Sequence, residues 1–468
     1  MSENILDLLR GMHSARKQGP AAIAQRQRAR LSEMVAFARA NSPYYRELYH
    51  DLPERVEDPT LLPVTSKKAL MEHFDDWVTD REVTYEKVHA FVDNPNLIGE
   101  RFLDKYLVAT TSGSSGTRGI FVIDDRTLDA ATAASIYMML TWLNAADIVR
   151  IAVGSGRTAL VIATGGHFTG AAGMARLRKS SPGRTKRLLV LPAKTPLPDV
   201  VAQLNHFNPV MLGGYASILA MLADEQETGR LRIHPVLINP SSEGLSHREY
   251  DRIAGAFQAK VRTTYAATEC TPPLAEGCRY QWLHLTSDWC LLEAVDADFR
   301  PVSAGVQSHT VLLSNLANRV QPVLRYDLGD SILVRPDPCP CENPMPAIRV
   351  QGRVADVLTF PTQSGDQIKI APLVFGTLVD RTPGVQLFQI VQTAPTTLRV
   401  RMHPTAGAEP DRAWQAVHTE LTHLLSEQGL HHVAVERAEE PPEQSPGDKY
   451  RMIIPLGAEG ATGESVKP

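Results

Sequence analysis

The chain has 468 residues, of which 43% are hydrophobic and 21% are charged, with a formal net charge of −4. This length allows one large domain and a smaller one. The slightly acidic balance gives no basic field, so nucleic acid is not an expected partner. The first twenty residues mix acids and bases, and no run reaches the ~18 apolar residues that a membrane span needs, so we expect a cytoplasmic protein without membrane partners.

The first strong element is a helix near the N-terminus. The segment AAIAQRQRARLSEMVAFARAN repeats apolar residues at helical spacing, and Pro43 prevents the helix from continuing past Asn41-Ser42. The predicted buried face consists of Ile23, Leu31, Met34, Val35 and Ala38.

Strands and helices then alternate along the chain. Apolar runs at 187–192, 208–214 and 234–240 are separated by amphipathic segments, which is the pattern of a mostly parallel sheet. After about residue 353 the order becomes strand, strand, helix, strand, which is typical of a compact α+β unit. The predicted fold class is α/β. A large N-terminal domain, 1–352, has mostly parallel sheets flanked by helices, and a small mobile α+β domain spans 353–468.

Between two predicted strands lies the stretch TTSGSSGTRG, which begins at Thr110. Small residues allow several backbone N–H groups to converge on an anion, and hydroxyl groups add further donors, so the loop is a candidate phosphate-binding site. The glycines at 113, 116 and 119 do not match the Walker spacing and no lysine follows, so a Walker ATPase is disfavoured. The alternative is a Ser/Gly surface linker.

Four further motifs follow in order: TYAATE at 264–269, LRYDLGD at 324–330, QGR at 351–353 and PGDK at 446–449. Together with the Ser/Gly loop, this set resembles the adenylate-forming superfamily of acyl-CoA synthetases. The stretches LSEMVAFARANSPYYRELYHDL and LPVTSKKALMEHFDDW resemble the opening of its phenylacetate-CoA ligase branch. The resemblance covers roughly residues 30–455.

The resemblance implies an AMP-forming acid–thiol ligase. Such an enzyme uses ATP and Mg²⁺ to convert a carboxylic acid, here expected to be aryl or arylacetic, into an acyl-adenylate, releases pyrophosphate and passes the acyl group to the thiol of CoA. Two alternatives stay open: transfer to an amine or a carrier protein, and a nucleotide-binding module without catalysis. A homodimer is a further open expectation.

By resemblance, the nucleotide contacts fall on the motifs. The loop around the β- and γ-phosphates would consist of Thr111, Ser112, Gly113, Ser114, Ser115, Gly116 and Thr117. Thr264 and Tyr265 would lie along the adenine, with Ser242 and Glu243 beside it. Thr268 would meet the α-phosphate and Glu269 would ligate Mg²⁺, a hard cation that prefers oxygen. Asp330 would accept both ribose hydroxyls, and Arg353 would contact the ribose from the domain boundary.

The resemblance also gives a catalytic lysine and an acyl pocket. Lys449 would insert against the α-phosphate and the carboxylate, stabilise the charge that develops as they react, and then withdraw. The segments 163–173 and 213–219 would line the acyl site, with His167, Phe168 and Tyr215 as candidate contacts. A capping histidine and packed aromatic side chains are the alternative for these three residues.

Two positions depart from the family pattern. Alanine stands at 266, where the family often has glycine, and at 355, where the family has an acidic hinge residue. We expect Asp356, the next residue, to take over the hinge role if the thioester is formed.

The cysteines form a separate pattern. The odd number, five, does not suggest a disulfide framework, so we expect reduced thiols or a metal site. Three thiolates and one imidazole make a closed structural zinc site, and Cys278, His284, Cys339 and Cys341 are its candidate ligands. Four unrelated loop side chains are the alternative, and Cys270 is the expected substitute ligand.

Overall fold

The helices and strands were obtained from a computed structural model of the chain. It describes residues 4–111, 118–164, 166–167, 169–180, 186–193, 195–241, 244–245, 247–353, 356–362, 367–370, 374–375, 378–379, 382–405, 407–445 and 449–456. The helices are α1 (Ile5–Gln18), α2 (Pro20–Asn41), α3 (Pro43–Leu48), α4 (Lys67–Glu72), α5 (Phe74–Trp77), α6 (Tyr85–Val92), α7 (Asp125–Trp142), α8 (Ala145–Val153), α9 (Thr169–Ser180), α10 (Leu197–Phe207), α11 (Ala216–Glu227), α12 (His247–Phe257) and α13 (Pro410–Glu427).

The strands fall into several sheets. In chain order they are β1 (Leu107–Thr110), β2 (Ile120–Ile123), β3 (Thr158–Ile162), β4 (Leu188–Pro192), β5 (Met211–Tyr215), β6 (Leu237–Ser241), β7 (Lys260–Val261), β8 (Thr264–Ala267), β9 (Cys270–Gly277), β10 (Leu283–Leu285), β11 (Cys290–Val295), β12 (Thr310–Asn315), β13 (Tyr326–Asp327), β14 (Asp330–Val334), β15 (Ala347–Arg353), β16 (Leu358–Pro361), β17 (Gln367–Ile370), β18 (Val385–Ala394), β19 (Thr397–Pro404), β20 (Ala434–Arg437), β21 (Gln444–Ser445), β22 (Lys449–Tyr450) and β23 (Ile453–Ile454).

The α/β fold class is confirmed by a parallel sheet with helices between its strands. Its order is β4-β3-β5-β6-β7, and every neighbouring pair is parallel. Helices α10, α11 and α12 connect successive strands, as the alternating apolar and amphipathic segments predict. In such sheets ligands bind at the carboxyl ends of the strands, where Tyr215 and Ser241 stand at the ends of β5 and β6.

The same part of the chain also contains antiparallel sheets that the sequence pattern did not predict. One has the order β14-β15-β10-β9-β8, and a second has the order β11-β12-β13. These strands carry the TYAATE and LRYDLGD motifs, so the candidate nucleotide residues lie mainly on antiparallel strands. Their apolar runs are short, which is why their pairing could not be read from periodicity.

Helix α2 confirms the predicted N-terminal helix. Its buried residues are the five predicted ones, Ile23, Leu31, Met34, Val35 and Ala38, and Ser42 caps the next helix before Pro43. The N-terminal helices are also tied to the antiparallel sheet, because the buried Arg16 guanidinium lies 3.0 Å from the Glu276 carboxylate on β9. Because both groups are buried, removing either one would leave the other as an uncompensated buried charge.

The C-terminal strands and helix have their own apolar core. It is formed by buried side chains between Leu358 and Ile453, and α13 contributes Val417, Leu421 and Leu424. Trp414 on the same helix is partly buried against this core. The β20-β19-β18-β23 sheet packs with α13, in agreement with the predicted α+β unit. The boundary at residue 353 stays a prediction.

Among the described residues, no single helix has both the length and the apolar composition to cross a membrane. The criteria are met only by α7 and α8 taken together, and that pair is bent by 112°.

Arg325 fixes the LRYDLGD segment from several directions. Its guanidinium donates hydrogen bonds to the backbone oxygens of Thr60 (3.2 Å), Leu62 (2.6 Å) and Phe299 (3.2 Å), and Nε lies 3.4 Å from the Glu293 carboxylate. Burial raises the pKa of Glu293 to about 7, although Arg325 opposes the shift. With a pKa of about 7, the Glu293 carboxyl group gains and loses its proton near neutral pH.

We predict that Glu293 makes the fold less stable as pH rises. Because its pKa is higher in the folded chain than in the unfolded one, the folded state binds the extra proton between pH 4.5 and about 7, and stability is lost across that window. The slope is at most about 1.4 kcal/mol per pH unit. Glu293→Gln removes this group, so the difference in melting temperature between wild type and variant should change progressively from pH 5 to pH 8.

Glu72→Gln is the matched control, since the Glu72 side chain is 59% exposed. Its melting curve should follow that of the wild type at every pH. If Glu293→Gln also keeps a constant offset from the wild type across the range, the carboxyl at 293 does not titrate in this window.

Candidate functional site

The predicted phosphate loop joins two paired strands. β1 and β2 form an antiparallel hairpin, with Thr110 opposite Ile120, as the flanking apolar runs predict. Thr111 closes the base of the loop: its N–H donates to Gly119 O (3.0 Å), and its hydroxyl accepts from Gly119 N (2.8 Å). A Cβ at Gly119 would lie 2.8 Å from the Phe121 ring, so a larger residue there would displace that ring. Thr111 is itself a predicted phosphate contact, and the other predicted contacts, residues 112–117, lie outside the described residues.

The predicted Mg²⁺ ligand sits on a tight turn. Thr268 and Glu269 are the two residues that connect β8 to β9, where Ala267 pairs with Cys270. Asn315 donates to the Glu269 backbone oxygen (3.1 Å), and the Tyr326 hydroxyl donates to the Glu269 carboxylate (3.1 Å). Both the backbone and the side chain of Glu269 are therefore held in one orientation.

A second contact joins the same two motifs. The Tyr265 hydroxyl donates to the Asp330 carboxylate at 2.6 Å, in addition to the contact between Tyr326 and Glu269. The segments 265–269 and 326–330 are thus connected at both ends by tyrosine–carboxylate hydrogen bonds. This pair of contacts brings together the carboxylates predicted to hold Mg²⁺ and the ribose.

Asp330 is also the cross-strand partner of Arg353. The two residues face each other at the start of β14 and the end of β15, so two predicted ribose contacts are neighbours in one ladder. The Arg353 side chain is outside the described residues. Ala266 is exposed, and a β-bulge between Tyr265 and Ala267 interrupts the β8–β9 register. Bulges of this kind change the direction in which adjacent side chains point.

Thr264 is tied to the parallel sheet. The Asn239 amide on β6 donates to the Thr264 hydroxyl (3.0 Å) and to the Arg262 backbone oxygen (2.6 Å). This contact places the start of the TYAATE motif beside the middle of β6. Ser242 and Glu243, which follow β6 in the sequence, lie outside the described residues.

The two candidate acyl-pocket residues that the structure describes, His167 and Tyr215, are buried. The His167 ring packs against Phe91, with ring centroids 5.3 Å apart, and burial lowers its pKa. Tyr215 at the end of β5 accepts a hydrogen bond from Ala163 N (3.2 Å). Phe168 lies outside the described residues. The pocket role of these three residues stays a prediction.

Lys449 lies on a short hairpin. β21 and β22 pair antiparallel, and Ser445 faces Lys449, whose side chain is outside the described residues. The buried Gln389 amide donates to the backbone oxygens of Glu443 (3.0 Å) and Arg451 (2.9 Å), on either side of the hairpin. The hairpin is thereby fixed to the C-terminal core through β18.

The expected substitute hinge residue contacts this hairpin. The Arg451 guanidinium donates to the Asp356 carboxylate, and both side chains are largely buried. Asp356 therefore links the region just after β15 to the segment that carries Lys449. Ala355 lies outside the described residues.

The four predicted metal ligands converge. The ligand atoms of Cys278, His284, Cys339 and Cys341 all lie within 4.8 Å of one another. The sulfur atoms of Cys278 and Cys339 are 3.8 Å apart, and Cys341 Sγ is 3.0 Å from His284 Nε2. Cys270, the expected substitute ligand, is not a member of the cluster and is buried in a different core.

The cluster fits zinc in donor type and size. Zn–S bonds of about 2.3 Å at tetrahedral angles place two sulfur atoms about 3.8 Å apart, which matches Cys278 and Cys339. His284 directs Nε2 at the cluster while Nδ1 lies 3.0 Å from the Met345 backbone oxygen, the contact that commonly orients a metal-bound histidine. Three thiolates and one imidazole leave no open position, so the role of such a site is structural.

Two residues of the site were missed by the sequence reasoning. Tyr326 and Arg325 both lie within the LRYDLGD motif, but their partners Glu269 and Glu293 are distant in sequence. The motif itself was the available signal for Tyr326. A buried arginine held by backbone oxygens from two other segments leaves no sequence pattern of its own.

Comparison with known proteins identifies the fold. No model of a known protein family matches the chain. The crystal structure of 2-hydroxyisobutyryl-CoA ligase in the postadenylation state with its acyl-AMP aligns with a TM-score of 0.62 and 21% identity, covering 94% of this chain and 90% of that one. The same ligase in its thioesterification state gives a TM-score of 0.52 at 22% identity over 94% and 90%.

Two other proteins resemble the chain less closely, one with lower sequence identity and one over a shorter aligned region. A benzoate-CoA ligase from Burkholderia xenovorans LB400 aligns at a TM-score of 0.51 and 12% identity, covering 75% of this chain and 68% of that one. Protein CapK of Staphylococcus aureus is 25% identical over 134 residues, so the chain matches little more than a quarter of that relative, 28% of either length. The chain has the fold of the adenylate-forming acyl-CoA ligases.

We predict that the purified protein contains about one equivalent of zinc by elemental analysis. Cys339→Ser should lower the zinc content to well below half an equivalent and lower the melting temperature, because a structural metal contributes its binding free energy to folding. Removal of the metal with a chelator should reproduce the loss of stability in the wild type.

Cys270→Ser is the control for metal content. Cys270 is a buried cysteine outside the cluster, so its replacement can destabilise the core but should leave the zinc stoichiometry unchanged. Wild-type protein that is fully stable without zinc would contradict the assignment.

Proposed function

We propose that this protein activates a carboxylic acid with ATP to an acyl-adenylate, with release of pyrophosphate, and transfers the acyl group to the thiol of CoA. The observation that carries the proposal is the double connection between TYAATE and LRYDLGD, which holds Glu269 and Asp330 together on the fold of the acyl-CoA ligases. In that arrangement one carboxylate can serve a hard cation while the other accepts the ribose hydroxyls.

Each part of the chain then has a distinct task. Glu269 would hold Mg²⁺, which supplies charge neutralisation for the phosphates when bound. Thr268, beside it, would meet the α-phosphate, and the Thr111 loop would enclose the outer phosphates. Tyr265 would pack on the adenine through its ring while its hydroxyl keeps the Asp330 carboxylate oriented. These residues position the reactants and exclude alternative geometries.

In the activation step, the protein's tasks are to position the two reactants and to stabilise the negative charge that develops between them. The acid's carboxylate oxygen attacks the α-phosphorus, and the bond to the bridging oxygen of pyrophosphate breaks. Lys449 would place its ammonium against the negative charge that develops on these oxygens. For transfer, the CoA sulfur attacks the acyl carbon and AMP leaves. We propose that 1–352 and 353–468 are two domains and that the smaller one changes orientation between these steps.

The acid and the acceptor are the least constrained parts of the proposal. The resemblance to the phenylacetate-CoA ligase branch supports an aryl or arylacetic acid, with His167, Phe168 and Tyr215 at the acyl site. Transfer to an amine or a carrier protein is the second candidate, favoured by Ala355 in place of an acidic hinge residue. We further propose a cytoplasmic protein with a structural zinc ion bound by the cysteine–histidine cluster.

The test is a pyrophosphate-release screen. The purified protein would be given ATP and Mg²⁺ with phenylacetate, benzoate, anthranilate or 2-hydroxyisobutyrate, each with and without CoA. We expect acid-dependent pyrophosphate release with an aromatic acid and thioester formation when CoA is added. Release without thioester would favour the second candidate, and no release with any acid would favour a binding module without catalysis.

We predict that Lys449→Ala reduces acyl-AMP formation at least 100-fold, the size of effect seen when a group that stabilises transition-state charge is removed. The dissociation constant of ATP should change less than about threefold, because the lysine acts on developing charge and not on ground-state binding. Single-turnover adenylation and equilibrium nucleotide binding measure the two quantities separately.

Lys68→Ala is the matched control, since that lysine side chain is 80% exposed on α4. It should leave both quantities at the wild-type level. Acyl-AMP formation that is unchanged in Lys449→Ala would refute the catalytic assignment of this lysine.

A further prediction concerns Asp356. Asp356→Pro restricts the backbone of residue 356 and of the residue before it, so it should hinder the pivot. We expect at least a tenfold loss in acyl transfer to CoA, with less than a threefold change in acyl-AMP formation. Burst and steady-state kinetics separate the two half-reactions.

Asp356→Asn separates the pivot from the ion pair. It removes the charge that pairs with Arg451 but leaves the backbone free, so acyl transfer should fall less than in Asp356→Pro. An equal loss of both half-reactions in the proline variant would mean that residue 356 only supports the fold.

A further inference from the structure

One buried carboxylate lies between the N-terminal helices and the cysteine–histidine cluster. The Glu276 side chain on β9 is 5% exposed, and that of its ion-pair partner, Arg16 on α1, is 7% exposed. Glu276 is also paired across the β9–β10 ladder with His284, one of the four candidate zinc ligands. Because residues directly opposite in a ladder share one face of the sheet, the Glu276 and His284 side chains are neighbours.

The same carboxylate is hydrogen-bonded to the loop that carries two of the cysteines. We call residues 339–345 the cluster loop. In it, Asn343 donates to Glu276 Oε1 (3.2 Å) and accepts from Met345 N (3.1 Å). The Met345 backbone oxygen in turn lies 3.0 Å from His284 Nδ1. A continuous series of polar contacts therefore joins the buried ion pair to a candidate zinc ligand.

Apolar contacts connect the same parts of the chain. The Arg16 guanidinium lies 4.2 Å from the centre of the Tyr137 ring on α7, a distance at which a cation and an aromatic face attract. Met345 is buried in a small core with Ala15 of α1 and Ile23 of α2. The residue whose backbone orients the cluster histidine thus also packs, through its side chain, on both N-terminal helices.

An ion pair alone would attach α1 to β9 whether or not a metal is bound. Here, however, two residues that hold α1, Glu276 and Met345, are also the residues that contact Asn343 and His284 around the cluster. A structural metal contributes its binding free energy to the order of the residues around it. The contacts of α1 with the cluster loop therefore depend on how firmly that loop is held.

We infer that zinc binding at the cluster stabilises the packing of helix α1, and that Glu276 and Met345 connect the two. Glu276 is a positioning residue, since it is not a member of the cluster and acts through Asn343 and His284. Such coupling is reciprocal, so loss of the ion pair with α1 weakens zinc binding as well. The inference rests on the zinc ion of the proposed function and is independent of the proposed reaction.

The first test is amide hydrogen exchange of the full-length protein with zinc bound and after removal of zinc by EDTA. Zinc removal should speed the exchange of residues 5–18 at least about fivefold, the lower end of typical coupling between two sites. Helix α13 belongs to a separate apolar core and is the internal reference, so its exchange should be the same in both forms. Unchanged exchange of residues 5–18 in protein that has lost its zinc overturns the inference.

The reciprocal test combines Arg16→Met with Glu276→Gln. This double variant leaves no buried charge unpaired, and the glutamine oxygen still accepts from Asn343. The zinc dissociation constant, measured by competition with EDTA, should rise about tenfold, as is common when a residue that supports a metal ligand is replaced. With zinc bound, residues 5–18 should also exchange faster than in the wild type. That last measurement is made on zinc-bound protein, so it decides the matter even if zinc-free chains unfold completely.

Arg10→Ala is the matched control, because Arg10 is on the same helix but its side chain is 77% exposed. It should keep the zinc affinity and the exchange of residues 5–18 at wild-type levels. A double variant that binds zinc as tightly as the wild type would mean that Glu276 only supports the fold, which overturns the inference. A wild type that binds no supplied zinc refutes the zinc assignment and this inference together, whereas the pyrophosphate-release screen would still decide the proposed reaction.

Discussion

The arrangement of the candidate site depends on one buried arginine. Arg325 accepts a left-handed backbone angle of +44°, and its guanidinium is held by oxygens of Thr60, Leu62 and Phe299. Its own backbone N–H donates to Ser314, and its oxygen accepts from Thr65. Because the residue is fixed at the head of the YDLGD segment, the tyrosine and the aspartate that follow it have defined positions. The site is therefore organised from the core outward.

The two acidic residues of the candidate site, Glu269 and Asp330, are oriented by hydrogen bonds from tyrosines. Tyr326 orients Glu269, and Tyr265 orients Asp330, so each carboxylate has a phenol partner supplied by the opposite segment. A phenol donates a hydrogen bond at neutral pH without adding a charge, and a carboxylate can accept more than one hydrogen bond. A lysine or arginine in either position would instead neutralise the group and compete with the ligand.

Local patterns in the sequence predicted local structure well, and distant pairings poorly. The buried face of α2 follows from helical periodicity, and the four metal-type ligands were recognised because three cysteines and one histidine make up the donor set of a structural zinc site. The antiparallel strands around β9 were not predicted, since short apolar runs do not specify partners. The role of Glu293 was not predicted either. It differs from a surface glutamate only in being buried against Arg325, which is about thirty positions further along the chain.

The turn formed by Thr268 and Glu269 has only two residues, so the hairpin between β8 and β9 does not readily accept an insertion. Ala267 and Cys270 are paired directly across it, and one additional residue would either bulge out of the turn or shift the register of β8 against β9. A shift by one position exchanges the two faces of a strand, so Tyr265 would point away from Asp330 while Cys270 left the core. Length variation is accordingly expected in the connections far from this hairpin, and the spacing between Tyr265 and Glu269 is expected to be fixed.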